Sequence, residues 1–207
     1  MPCSCFATWA DDLVTQPIFT AGMYLGQMIE LRTLTDADVE AHNHGEDAEV
    51  VRWLTGDYGT DESTRRHFSN MTENALRGEG KRGFGVWFDR RLAGYIDCDP
   101  TFSDLPAPGD VNIAYSVHPW ARRQGVASAA IDLICTYIAE EKIGDRAVAR
   151  IEPGNTTSIG VIEKCGFQLI DSDTLGPTRL DSAKAGSEFG AVGGCAGHLI
   201  YVRELHR

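Results

Sequence analysis

The sequence comprises 207 residues, which on a prior of about 100 to 200 residues per domain makes one domain, or one domain plus a tail. Its 43% apolar and 24% charged residues exclude wholesale disorder and a miniprotein held together by disulfides or metal. With 19 Lys+Arg against 30 Asp+Glu the net charge is −11, which argues against nucleic acid and anionic membranes as partners and for a cationic small molecule or peptide.

Residues 1–27 show neither alternation nor helical period and read as an extension ahead of the domain, 28–207. From Met28, Ile29 and Leu31 alternate with Glu30 and Arg32 as in a strand with one buried face. Thr35-Asp36 supplies a helix start, and the stretch to Leu54 reads as helix broken near His44-Gly45. Thr60 caps a further helix, with Asp61 and Glu62 at its positive end, that runs to about Arg77 before Gly78 and Gly80. Gly83 to Phe88 and Leu92 to Cys98 alternate around Asp89-Arg90-Arg91 and predict a hairpin. The proline-bearing loop Asp99 to Gly109 closes it.

In the strand Val111 to Val117, Val111, Ile113, Tyr115 and Val117 form an apolar face, while Asn112, Ala114 and Ser116 are small or polar. That second face is either an ordinary solvated one or room for a ligand beside the backbone. A helical period holds from Gly125 to about Lys142. Ala147 to Ile151 is then a strand, Thr156 to Lys164 a short helix, and Phe167 to Ile170 and Leu199 to Val202 the last two strands. The connection of residues 173–197 is long for a compact domain, as substrate-facing loops often are.

Six cysteines (Cys3, Cys5, Cys98, Cys135, Cys165, Cys195) are scattered without a Cys-x-x-Cys pair or zinc-finger spacing, the usage of a reduced, cytosolic chain. Cys3-Ser4-Cys5 brings two thiols and no further ligand, so no metal site is expected. Residues 1–19 lack the basic start and continuous apolar stretch of a secretory signal, and no run of about 18 apolar residues occurs. The expectation is a soluble, cytoplasmic protein.

The sharpest local signal is Arg122-Arg123-Gln124-Gly125-Val126-Ala127, between a strand and an amphipathic helix. Free N–H groups and the positive dipole end make a helix start an anion cradle, and Gly125 and Ala127 leave room for a pyrophosphate. The loop has neither the Gly-Lys-Ser/Thr ending of nucleotide-triphosphate loops nor the three-glycine dinucleotide spacing. Alone, it reads equally as packing beside solvated charge.

Taken together, Ile113-Ala114-Tyr115-Ser116-Val117-His118-Pro119, the Arg122 to Ala127 loop, Arg150-Ile151-Glu152-Pro153-Gly154-Asn155, Ser158 and Glu163-Lys164-Cys165-Gly166-Phe167 resemble the GNAT superfamily of N-acetyltransferases. The similarity spans about Met28 to Val202 and points to the RimJ/RimL-like branch. The fold class it implies is α/β, a mixed, centrally splayed β-sheet flanked by helices. The activity it implies is acetyl transfer from the cosubstrate acetyl-CoA to a primary amine.

Under that resemblance the Val117 backbone binds the pantetheine arm and polarises the thioester carbonyl. Arg122, Arg123, Gln124, Gly125, Val126 and Ala127 bind the pyrophosphate, Asn155 hydrogen-bonds the pantetheine, and Ser158 meets the departing thiolate. The sequence departs from the pattern in lacking a glutamate near Asn112 and a tyrosine near Ile162. Asp110 and Glu152 are the carboxylates to weigh as catalytic groups, each with a plain structural reading beside it. His118 reads as a turn residue. Trp53, Asp57, Tyr58 and Glu62 fall where similar proteins line the acceptor site, and Asn112 joins them on the open strand face; core packing and helix capping are their other reading. The acceptor expected is a cationic small molecule such as a polyamine or aminoglycoside-like compound, with a protein N-terminus as the alternative and a non-catalytic CoA-binding module as a third. A homodimer is compatible with this reading.

Overall fold

The computed structural model describes residues 17–20, 28–170 and 197–205. The Cys3-Ser4-Cys5 segment and nearly all of the 173–197 connection lie outside them. Among the described residues the strands are β1 Pro17–Thr20, β2 Ile29–Arg32, β3 Arg82–Phe88, β4 Arg91–Asp99, β5 Asp110–Val117, β6 Arg146–Ile151, β7 Gln168–Ile170 and β8 Leu199–Glu204. The helices are α1 Val39–His44, α2 Ala48–Val50, which runs on into a π-helical turn Val51–Thr55, α3 Asp61–Arg77, α4 Val126–Glu140 and α5 Thr156–Lys164.

The strands form one sheet in the order β1-β2-β3-β4-β5-β6-β8-β7. Every pairing is antiparallel except β5 with β6. This is the mixed α/β architecture expected. One strand was not expected: Pro17–Thr20, inside the stretch read as an extension, pairs with β2. At four residues it is too short for a period to register.

Local chemistry explains the boundaries. Thr60 Oγ1 accepts from Ser63 N at 3.2 Å while Ser63 Oγ accepts from Thr60 N at 2.9 Å, a reciprocal cap that starts α3. Asp89 and Arg90 take φ of 47° and 65°, the paired left-handed residues of a two-residue hairpin turn, so Arg91 already belongs to β4.

The alternation along the strands separates two layers. On one face Phe84, Val86, Ile96, Cys98, Val111 and Ile113 meet α4, whose Val126, Ala130, Ile131, Ile134 and Ile138 are all buried. On the other, Leu34, Val39, Phe68, Leu92 and Tyr95 form a smaller core beneath α1 and α3. Among the described residues no helix is long and apolar enough to cross a membrane.

One feature of the sheet matters most for function. β5 pairs with β6 only from Asp110↔Arg146 to Ile113↔Ala149, whereas its pairing with β4 continues to Val117↔Gly94. β6 instead follows β8 to Leu199. The sheet therefore opens beside Ala114–Val117, and those four residues are half-buried where the preceding four are buried.

Candidate active site

The opening exposes backbone. His118 N donates to Ala93 O at 2.7 Å, which makes them a hydrogen-bonded pair beyond Val117↔Gly94. By the two-residue alternation of an antiparallel ladder, Val117 and Tyr115 then turn their N–H groups away from β4, into the gap left by β6. Val117 O is taken by Arg122 Nε at 2.9 Å, which leaves the Val117 N–H as a donor aimed into the gap.

Beside the gap α4 begins. Gly125 is its N-cap with φ 80°, a left-handed conformation glycine adopts without strain, and no side chain caps the helix. Its first-turn amides therefore stay open to an anion. Arg123, also left-handed at φ 61°, is exposed, and Gln124 Nε2 donates to Trp120 O at 2.9 Å. The expected pair of cradle arginines is split, because Arg122 grips Asp47 through both terminal nitrogens at 2.7 and 2.8 Å. That guanidinium holds the Asp47 carboxyl below its ordinary range. Arg122 thus braces the loop, whereas Arg123 has no ion-pair partner among the described residues.

Across the gap, α5 starts at Asn155, whose Oδ1 accepts from Ser158 N at 3.1 Å. Ser158 Oγ lies 2.8 Å from Tyr115 Oη, so a phenol from β5 reaches the first turn of α5. Burial lifts the Tyr115 hydroxyl to about 12 and keeps it protonated at any working pH. The sequence has no tyrosine near Ile162 on α5, and the phenol beside the start of that helix comes from the strand. The amphipathic period alone reads Tyr115 as core.

On the α1/α3 side of β5, Ala114 and Ser116 floor a cavity of about 140 Å³. Its walls carry more chemistry than the sequence reading assigned. Asp97, buried in β4, holds Lys81 Nζ at 3.1 Å, and His67 Nε2 lies 2.9 Å from Tyr95 Oη. Glu46 Oε2 accepts from Gly59 N at 2.7 Å. Burial pushes the Asp97 and Glu46 carboxyls up and pulls His42, His67 and His118 down to about 4, leaving neutral imidazoles at pH 7. An acid in mid-strand, as Asp97 is, was the signal available in the sequence; Glu46 had none beyond its position at a helix break.

Other expected site residues scatter. Asp110 sits at the opposite end of β5, roughly 23 Å from Val117 by strand rise, and chelates Arg146 at 2.7 and 2.9 Å while accepting from Ala107 N at 2.8 Å. It pins two strands together and does not reach the gap. Asn112 is buried in the closed half of β5 between Asp99 and Val148, on the same face as Ala114 and Ser116 but outside the cavity lining. Asp57 and Tyr58 are exposed beyond the π turn, and Glu62 is exposed in the first turn of α3.

Two residues stay at the rim. Glu152 follows β6 at the gap, half-buried. Trp53 lies against the β6–α5 turn, its ring edge 3.2 Å from where a Cβ on Gly154 would stand, with Nε1 donating to Glu49 Oε2 at 2.9 Å.

The geometry combines an uncapped helix start, an open strand edge and a cavity on the far face of the same strand. An extended thioester carrying a pyrophosphate fits the first two, and an amine can approach through the third. A sequence model described as an acetyltransferase (GNAT) domain matches residues 29–168. No curated protein sequence matches the chain.

Solved structures are similar in fold. An acetyltransferase from Salmonella typhimurium that modifies the N-terminal serine of a 50S ribosomal subunit protein is 19% identical with TM-score 0.65, the match covering 86% of this chain and 95% of that one. RimJ from Mycobacterium smegmatis in complex with CoA-disulfide is 19% identical with TM-score 0.64, covering 86% and 82%. A GNAT-family acetyltransferase from Bacillus anthracis is 21% identical with TM-score 0.58, covering 84% and 92%. The open strand edge, the uncapped helix and the family match over 29–168 lead to one conclusion: this chain belongs to the GNAT family of acetyl-CoA-dependent N-acetyltransferases.

Proposed function

We propose that the protein acetylates the terminal amine of a peptide or protein in the cytoplasm. The observation that carries this reading is the open half of β5, with a backbone donor at Val117 on its gap edge and the cavity over Ala114 and Ser116 on its face. At 140 Å³ the cavity has the room of roughly four or five waters, which suits an ammonium group and its first few carbons while the rest of the acceptor stays outside. The ribosomal-protein acetyltransferases among similar structures favour a protein acceptor over the small cation expected from composition. The acidic balance of −11 still favours a polyamine or aminoglycoside-like amine as the second reading. Buried free thiols at Cys98 and Cys135 support a reducing compartment.

Acetyl-CoA supplies an activated acetyl group as a thioester. The α4 amides and Arg123 would hold its pyrophosphate, and the Asn155 side-chain amide its pantetheine. The Val117 N–H would polarise the carbonyl, donating more strongly as negative charge builds on that oxygen. Ser158, backed by Tyr115, would donate a proton at the sulfur. Trp53 and Glu152 would border the acceptor.

Thiol release from acetyl-CoA, measured with a short peptide bearing a free N-terminus and with spermidine, tests the reading. Peptide-dependent release is expected. Tight CoA binding without release for any amine would leave a non-catalytic CoA-binding module.

A further inference from the structure

An amine reaches the site at neutral pH as an ammonium and attacks only after losing a proton. Asn112 stands where the resemblance has a glutamate, and Asp110 is bound to Arg146 at the far end of the strand. Resting on the acetyl-transfer reading, we propose that Glu46 receives the acceptor ammonium in the cavity over Ala114 and Ser116 and takes its proton.

Its neighbours in the chain fix where Glu46 sits. On one side Gly45 lies flat against the His118 imidazole, where a Cβ would stand only 2.0 Å from His118 Nε2, so no larger residue permits the contact. On the other side Asp47 grips Arg122, and Arg122 Nε donates to Val117 O at 2.9 Å. Glu46 is therefore latched on both flanks to the residues at the open end of β5. Gly59 N fixes Oε2 at 2.7 Å, and Oε1 has no hydrogen-bond partner among the described residues. Glu46 also lines the cavity with Ala114 and Ser116.

The surroundings leave Glu46 as the group to do this chemistry. Around it stand His42 on α1, Asp47 in its own loop, His67 on α3, Lys81 ahead of β3, Tyr95 and Asp97 on β4, and His118 and Arg122 beyond β5. Lys81 is matched by Asp97 and Arg122 by Asp47. The three imidazoles titrate at about 4, too low to hold a proton at neutral pH. Burial lifts the Glu46 carboxyl, which brings it closer to the range of a working base. In the reaction Glu46 takes one proton from the ammonium and returns it to water. The neutral nitrogen bonds to the acetyl carbon as the carbon–sulfur bond breaks, and its second proton ends on the departing sulfur.

Wild type, Glu46→Gln and Glu46→Asp are compared with acetyl-CoA and the peptide over a range of pH, alongside calorimetric binding of the peptide alone and thermal melting. E46Q keeps the Gly59 hydrogen bond through its amide oxygen and is expected to melt like wild type. Its kcat should fall roughly 100-fold or more, the acid limb of its pH profile should vanish, and its peptide binding should weaken. E46D should retain the acid limb and part of the rate. If wild type turns over and E46Q keeps both kcat and acid limb, the Glu46 assignment is overturned while acetyl transfer stands. A rate loss with an unmoved limb and unchanged peptide binding overturns it equally. Wild type that binds acetyl-CoA but acetylates neither peptide nor spermidine overturns both.

Discussion

The two halves of β5 share one strand and one alternation, yet they do different work. Asp110–Ile113 is buried and paired with β6, Asn112 and Ile113 with β4 as well; Ala114–Val117 is paired with β4 alone and half-buried. In the first half Val111 and Ile113 turn their amides toward β6, and their side chains fill the core. In the second the same geometry leaves the Val117 and Tyr115 amides without a neighbouring strand. The candidate site thus arises from the withdrawal of β6, and it needs no unusual residue on β5 itself.

Acid should separate the halves most strongly. His42, His67 and His118 gather around the open half, with folded values near 4 against an ordinary 6.5, burial being the main cause. Because the folded values are lower, the unfolded chain binds more protons between those limits. Stability from neutral imidazoles is then complete above about pH 6.5 and is lost as pH falls toward about 4. Melting temperatures followed by circular dichroism should be flat above that window and fall steeply within it.

Asp110→Ala attacks the closed half. Removing a buried carboxylate bound to Arg146 should cost about 3 kcal/mol, a fall in Tm of roughly 10 °C for a chain of this size. Activity per folded molecule should stay at the wild-type level, since Asp110 does not touch the gap. Gly125→Glu attacks the open half and should do the reverse. A carboxylate at the helix start opposes the pyrophosphate, so CoA affinity measured by calorimetry should drop by at least about tenfold. Its left-handed backbone adds only about 1 kcal/mol of destabilisation. Tyr115→Phe is the mildest change. Losing one hydrogen bond to Ser158 should lower kcat several-fold, by about 1 kcal/mol, with the acetyl-CoA KM unmoved.

How much of this was legible in the sequence follows the same division. Local signals carried far: the Thr60 start and Gly78 stop of α3, the hairpin, and the apolar face of α4 stand within a residue or two of where the pattern puts them. The helix start at Gly125 was also local, because a small residue at such a start announces itself. What the pattern could not carry was pairing. Asp110 and Val117 lie on one strand, and nothing in the alternation says which end keeps its neighbour. Arg122 read as a free cation because its partner, Asp47, is 75 residues away. Glu46 was invisible for a similar reason, since its position depends on His118, Arg122 and Gly59 meeting in space.

The open half of β5 and the uncapped start of α4 together form the proposed CoA site. Titrating the isotopically labelled protein with CoA and following its backbone amides by NMR tests this most directly. The predicted result is large shifts at Val117, Tyr115 and residues 125–128, with Val111 and Ile113 unmoved. Saturable CoA binding that leaves Val117 and the 125–128 amides in place would contradict it.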